Sequence, residues 1–182
     1  MSRINSIPAN INYLGDLSFL FFIEKLPNVN FFLQSASIPS VFSQYILSPN
    51  PFVDLPVHGD HMTFDPLEVT FIVDEDMRNY FEIYKWIRGY AFPTDFKEHK
   101  DLAEAGENAV GKGIISDATL LIGNNMKNMN IEVTYVDAFP FSLSGLRFNT
   151  TDNDMKYLTA TVQFKYTYYD FQYLNSMVQN ET

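Results

Sequence analysis

Leu158-Thr-Ala-Thr-Val-Gln-Phe-Lys-Tyr-Thr-Tyr-Tyr-Asp170 decides how the rest of the chain is read. From Leu158 to Tyr168 each even position is apolar: Leu158, Ala160, Val162, Phe164, Tyr166 and Tyr168. The odd positions Thr159, Thr161, Gln163, Lys165 and Thr167 are polar. Period two marks a strand with one face on a core and the other in water. Strands usually end after five or six residues, and this pattern runs about twice as far, roughly 35–40 Å. So long an amphipathic strand belongs to a large curved sheet or a barrel wall, one that several subunits can share.

The surrounding composition agrees. A chain of 182 residues can bury one substantial core, and its 46% hydrophobic and 16% aromatic content marks a globular protein. Phe and Tyr dominate the aromatics, as β-rich sequences favour. The longest apolar run, Leu17 to Ile23, is strand-sized and far short of the ~18 residues of a membrane span. No membrane anchor is expected, and Met1-Ser-Arg-Ile-Asn lacks the layout of a signal peptide. Cysteine is absent, which excludes disulfides, thiolate nucleophiles and Cys-based zinc sites.

Net charge is −10, and between Asp54 and Glu107 there are 13 acidic against 5 basic residues. No basic stripe is present to displace counterions from phosphates. The acid is either an ordinary solvated surface or one that repels polyanions and meets a basic partner.

Along the chain, 1–16 is a polar, Asn-rich arm, 17–171 a β domain and 172–182 a tail. Leu17 to Glu24 is expected as a strand buried on both faces. It should form a hairpin with Phe31 to Ile38 around a turn at Pro27 and Asn28. Ser48 to Asp60, with three prolines and a glycine, reads as an ordered loop or edge segment. Leu67 to Val73 is a strand. Asp74 to Gly89 reads as a helix: Asp74 caps it, Glu75 and Asp76 lie at its positive end, and Lys85 and Arg88 near its negative end. Its apolar stripe, Met77, Tyr80, Phe81, Tyr84 and Ile87, should pack on the sheet. Phe92 to Gly113 is a long polar excursion, and strands follow at Ala118 to Ile122 and Ile131 to Val136.

Chemistry is sparse. Gly106-Glu-Asn-Ala-Val-Gly-Lys-Gly113 nearly spells a phosphate-binding loop, but Gly113 stands where Ser or Thr must ligate magnesium. His58-Gly-Asp-His61 matches no closed zinc pattern and reads as a turn. Asp74 and Asp76 are better explained as helix-start residues than as an acid/base pair. No catalytic residue, cofactor or metal site is expected, and the chain reads as a non-enzyme.

The order of these segments resembles the tail-tube protein family of contractile-tailed bacteriophages. The resemblance rests on Phe31 to Pro39, Pro56-Val-His-Gly-Asp60, Phe64 to Tyr80, Trp86-Ile-Arg-Gly89 and the alternating C-terminal strand, and covers roughly Leu17 to Phe171. It implies a mainly β (α+β) subunit, a β-sandwich or barrel with one flanking helix and a long excursion loop. In such proteins six copies form a ring whose long strands line one channel, and an extended loop of one ring reaches the next. The resemblance thus implies a structural virion protein in the tail, assembled in the host cytoplasm. Its partners would be its own copies, neighbouring tube, baseplate, sheath or terminator proteins, and genomic DNA that passes without specific binding. The ring can be tube, initiator or terminator. Thr159, Thr161, Gln163, Lys165 and Thr167 would face the lumen; a lysine there departs from a uniformly neutral or acidic wall. Asp95, Glu98, Glu104, Gly106, Gly111 and Gly113 would belong to the inter-ring loop. The rival reading is a standalone β-rich binding module or enzyme whose long strand walls a pocket.

Overall fold

The computed structural model describes residues 12–91, 95–97, 99–100, 113–150 and 156–174. Its elements are β1 (Phe19–Ile23), α1 (Pro27–Phe31), β2 (Leu33–Ala36), β3 (Val41–Ser48), β4 (Leu55–Phe64), β5 (Leu67–Ile72), α2 (Arg78–Ala91), β6 (Ser116–Gly123), β7 (Met129–Leu143), β8 (Thr159–Lys165) and β9 (Tyr168–Tyr173). The chain is mainly β, with a helix flanking antiparallel sheet, as the sequence implies. Among the described residues seven strands join in the order β1-β6-β7-β8-β5-β2, with β9 also alongside β7, while β3 and β4 pair only with each other.

The C-terminal ribbon organises this sheet. Along β7, Ile131 faces Tyr173, Val136 faces Tyr168, Phe139 faces Lys165 and Pro140 faces Phe164. All four pairs share one register, so β8 and β9 are two lengths of one ribbon, interrupted at Tyr166 and Thr167. Thr167 bridges the gap by donating its amide to Val136 O at 2.9 Å. Opposite the gap, Asp137 takes φ 56°.

The interruption corrects the expected alternation. Ala160, Val162 and Phe164 are buried, so the even face of β8 meets the core. Directly opposed antiparallel residues share a face. Tyr169 lies opposite the buried Tyr135 and packs against the core, so an odd residue turns inward at the start of β9, while the rest of this edge strand, odd and even alike, is exposed. In β7 the buried positions likewise switch from Val133 and Tyr135 to Ala138 and Pro140 across Asp137. The left-handed residue on one strand and the gap on the other exchange the faces of both.

One core joins the inward faces: Phe21 and Ile23 of β1, Leu67, Val69 and Phe71 of β5, Ala118, Leu120 and Ile122 of β6, and the β7 and β8 residues above. Ile83 and Trp86 of α2 cover it. At ~2 kcal/mol for each fully buried aliphatic or aromatic side chain, this cluster is the main source of stability.

The N-terminal hairpin is not formed. β1 pairs with β6 and β2 with β5, and α1 intervenes. Pro27 opens that helix, a position where its missing N–H costs nothing. β1 buries Phe21 and Ile23 but leaves Leu20 and Phe22 nearly half exposed, because only one face of this end strand meets the core.

Helix α2 begins at Arg78, whose amide is capped by the Asp74 carboxylate at 2.7 Å. Met77 precedes the helix in a left-handed conformation, φ 56°. The buried face is Asn79, Ile83, Trp86 and Gly89. Tyr80 and Ile87 flank the core, whereas Phe81 and Tyr84 are about half exposed, which corrects the expected stripe. Asn79 explains the difference. Its amide donates to Ile72 O at 2.8 Å, and its carbonyl accepts the amides of Tyr80 at 2.8 Å and Asp74 at 3.3 Å. An Asn whose amide nitrogen and carbonyl oxygen both find partners can be buried, so the helix turns a polar residue inward and two aromatics outward.

Candidate assembly surfaces

The outward row of β8 continues across β5. Gln163 stands opposite Glu68, Thr161 opposite Thr70 and Thr159 opposite Ile72. The two threonine hydroxyls are 3.2 Å apart. The Thr161 amide donates to Ser144 Oγ at 2.9 Å, tying the row to the segment after β7. Thr159 and Lys165 are exposed, Thr161 and Gln163 half-buried. The Lys165 ammonium lies 5.9 Å from the Phe141 ring of β7. Thr167 is exposed within the ribbon's interruption and stands outside the row. The structure thus groups Thr159, Thr161, Gln163 and Lys165 with Glu68 and Thr70 on one polar face.

The second surface takes in Ser48 to Asp60, expected as an ordered loop or edge segment, and strand β4 occupies its second half. β3 and β4 form a long hairpin in which every residue of β3 is exposed. Ile46 opposite Val57 marks one face, and Leu47 opposite Pro56 the other, so both faces carry apolar side chains. Tyr45 and Ile46 are 68% and 67% exposed, and Phe52 in the connecting turn 96%. A monomer gains nothing from so much uncovered apolar surface. The register shifts between Ser43 and Tyr45. A Cβ on Gly59 would come within 2.5 Å of the Gln44 carbonyl oxygen, so only glycine fits beside that bulge. The legible signal was Val41-Phe-Ser-Gln-Tyr-Ile-Leu47 facing Val57-His-Gly; three prolines masked it, although Pro suits an edge such as this.

At the hairpin's root lies a cluster of tyrosines. Tyr166 donates its hydroxyl to Asp65 O at 2.9 Å, and Tyr169 to Pro39 O at 3.3 Å. The Phe64 ring lies 5.9 Å from Tyr166 and 5.4 Å from Tyr169. Tyr135 packs against both tyrosines at 5.2 and 5.7 Å. Burial, together with the neighbouring Tyr166 and Tyr169, pushes the Tyr135 hydroxyl well above the usual phenol range. Tyr166 is pushed up to about 12, chiefly by burial, with Tyr169 and Asp65 adding to it.

The expected loop residues are seen in part. Asp95 is exposed and Gly113 buried; Glu98, Glu104, Gly106 and Gly111 lie outside the described residues. The Gly113 carbonyl accepts the Lys25 ammonium, which also lies 5.1 Å from the Trp86 ring. Burial lowers the Lys25 pKa, against the opposing pull of Glu24. Trp86 Nε1 donates to Ile114 O at 2.7 Å, so two side chains secure the chain where it re-enters the core. His58 and His61 stand exposed on β4. Among the described residues no group of three His, Asp or Glu is placed to hold a metal, and no helix is long and apolar enough to cross a membrane.

A family model for phage tail tube proteins matches residues 6–172. The chain is 27% identical over 115 residues to the tail tube terminator protein of Enterobacteria phage T4, a match spanning 63% of this chain and 60% of that protein. In fold it is similar to the tube-terminating cap of the anti-feeding prophage, with TM-score 0.60, 15% identity, and 94% of this chain and 99% of that one covered. A chain of the six-fold symmetrised anti-feeding prophage baseplate is also similar, with TM-score 0.57, 12% identity, and coverage of 92% and 97%.

Proposed function

This chain belongs to the phage tail tube protein family, and from that premise we propose that it is a non-catalytic ring subunit closing one end of a contractile tail tube. Six copies surround a channel, and the polar row Thr159, Thr161, Gln163 and Lys165, with Glu68 and Thr70 beside it, faces the lumen. Genomic DNA passes this wall without being held. The observation that carries the reading is that row itself: polar side chains, uncharged from Thr159 to Gln163, on a sheet whose opposite face is sealed in the core. A net charge of −10 favours sliding over sticking. Lys165 is the last residue of β8, at one end of the row, with its ammonium near the Phe141 ring.

Ring closure has a physical reason. An open sheet ends in unpaired backbone groups, and joining sheets around a closed barrel removes them. The six-fold baseplate assembly that contains a similar chain supports the copy number. An end position is supported by the terminator protein of phage T4 and by the anti-feeding prophage cap. The β3–β4 hairpin, apolar on both faces, is the element that reaches a neighbouring copy, and residues 92–113 are assigned the inter-ring contact. The ring is part of the virion tail and assembles in the host cytoplasm. A pocket walled by β8 is disfavoured, because Ala160, Val162 and Phe164 fill its apolar side with core.

Negative-stain electron microscopy of the purified chain, alone and with tube subunits, tests the proposal. Six-fold rings with a central hole are expected, either free or at tube ends. A protein that stays monomeric under both conditions refutes it.

A further inference from the structure

Among the described residues the hairpin β3–β4 pairs with no other strand, so its direction depends on its root. An isolated two-stranded hairpin has little rigidity of its own. At this root the backbone is joined across the two strands by the Asp65 amide donating to Ser40 O at 3.0 Å. Beneath it Ser37 and Glu68 extend the β2–β5 pairing, the Ser37 amide donating to Glu68 O at 3.0 Å and the Glu68 amide to Ser37 Oγ at 3.2 Å, so the root is a short two-stranded neck. Two side-chain bonds brace this neck against the C-terminal ribbon, one on each arm: Tyr169 to Pro39 O and Tyr166 to Asp65 O.

We propose that Tyr166 and Tyr169 form a latch that sets the direction in which the hairpin leaves the body, and that the interruption between β8 and β9 exists to bring both hydroxyls to it. In an unbroken strand, residues three apart point to opposite faces. Tyr166 follows the even inward face of β8, and Tyr169 the odd inward face of β9. Only the exchange of faces at Tyr166 and Thr167 puts both rings on one side, their centroids 6.0 Å apart. Phe64, the last residue of β4, is then held by both rings. Tyr135 supports them from beneath, fully buried and opposite Tyr169. The latch therefore couples the ribbon to the projecting hairpin within one chain, whether or not that chain forms a ring.

The chain contains no cysteine, so two introduced cysteines can be spin-labelled cleanly. The pair is Asn50→Cys in the hairpin turn and Met126→Cys, exposed in the turn between β6 and β7. Pulsed electron resonance on labelled full-length chain diluted with unlabelled chain reads the distance between them. A single narrow distribution is expected, broadening about twofold or more in Tyr166→Phe/Tyr169→Phe, as a hairpin without outside support would. Tyr90→Phe is the control. It removes a tyrosine bond to the Pro140 carbonyl, 2.6 Å, far from the root, and should leave the distribution narrow. If the double variant does not fold, Tyr169→Phe alone, which loses only the longer bond, is read in the same way. A broad distribution in the parent, a folded variant as narrow as the parent, or equal broadening by Tyr90→Phe overturns the latch.

Discussion

Introducing aspartate at Thr161 or at its neighbour Val162 should give very different proteins, and the difference can be worked from the structure. Thr161 is half-buried on the outward face, and its hydroxyl meets that of Thr70 at 3.2 Å. Thr161→Asp forfeits one neutral hydrogen bond, about 1 kcal/mol, and some strand preference, up to about 1 kcal/mol. Glu68 sits diagonally, opposite Gln163, where exposed like charges add only a few tenths. The total is about 1–2 kcal/mol. Val162 is fully buried between β5 and β7. Val162→Asp removes about 2 kcal/mol of apolar burial and places a carboxyl where no partner waits, a further several kcal/mol. The sum approaches the whole stability of a domain, about 5–15 kcal/mol. Urea unfolding followed by circular dichroism should show Thr161→Asp cooperative with its midpoint lowered by less than about 1 M. Val162→Asp should be unfolded or nearly so in buffer. Equal damage from the two substitutions would refute the assignment of faces along β8, and with it the proposed channel wall.

Asn79→Leu should destabilise the chain by about 3 kcal/mol, because the Ile72 carbonyl and the Asp74 amide lose their partner in a buried site; urea unfolding measures this. Ile46→Asp in the exposed hairpin should leave the melting temperature of the isolated chain within about 2 °C of the parent and abolish ring formation in micrographs. Rings that persist would remove the hairpin from the proposed contact. Stability should fall as pH rises above 10, the ordinary tyrosine value. Tyr135 and Tyr166 have raised values when folded, so the unfolded chain releases their protons first and is favoured between 10 and about 12. Tyr135→Phe should lessen this alkaline loss in melting curves recorded across that window; an unchanged slope would contradict the burial of its hydroxyl.

How legible each element was follows from the range of the interactions that form it. Ala160, Val162 and Phe164 are inward because period two is written into consecutive residues, and a strand has no other way to hide them. Helix α2 was legible as an element because Asp74 and the residues after it carry a local start signal, and the cap bond to Arg78 is its product. Its buried face was not legible. Asn79 becomes an inward residue only because the Ile72 carbonyl waits at the end of β5. The hairpin of β3 and β4 was legible only as a loop or edge segment, because exposed apolar residues and prolines do not say which strand they pair with. The latch tyrosines gave no signal at all, since their partners are backbone carbonyls 130 and 101 residues away in the chain.

Sequence alone determined the β character, the amphipathic ribbon near the C-terminus, the flanking helix and the absence of cysteine chemistry. All of these depend on residue types and spacings within one element. The tertiary structure decided which strands pair, where the ribbon changes face at Tyr166 and Thr167, which side of α2 is covered, and that an apolar hairpin stands away from the body. Those outcomes depend on register and on polar groups meeting across long separations, where the energy of a residue is set by what stands opposite it.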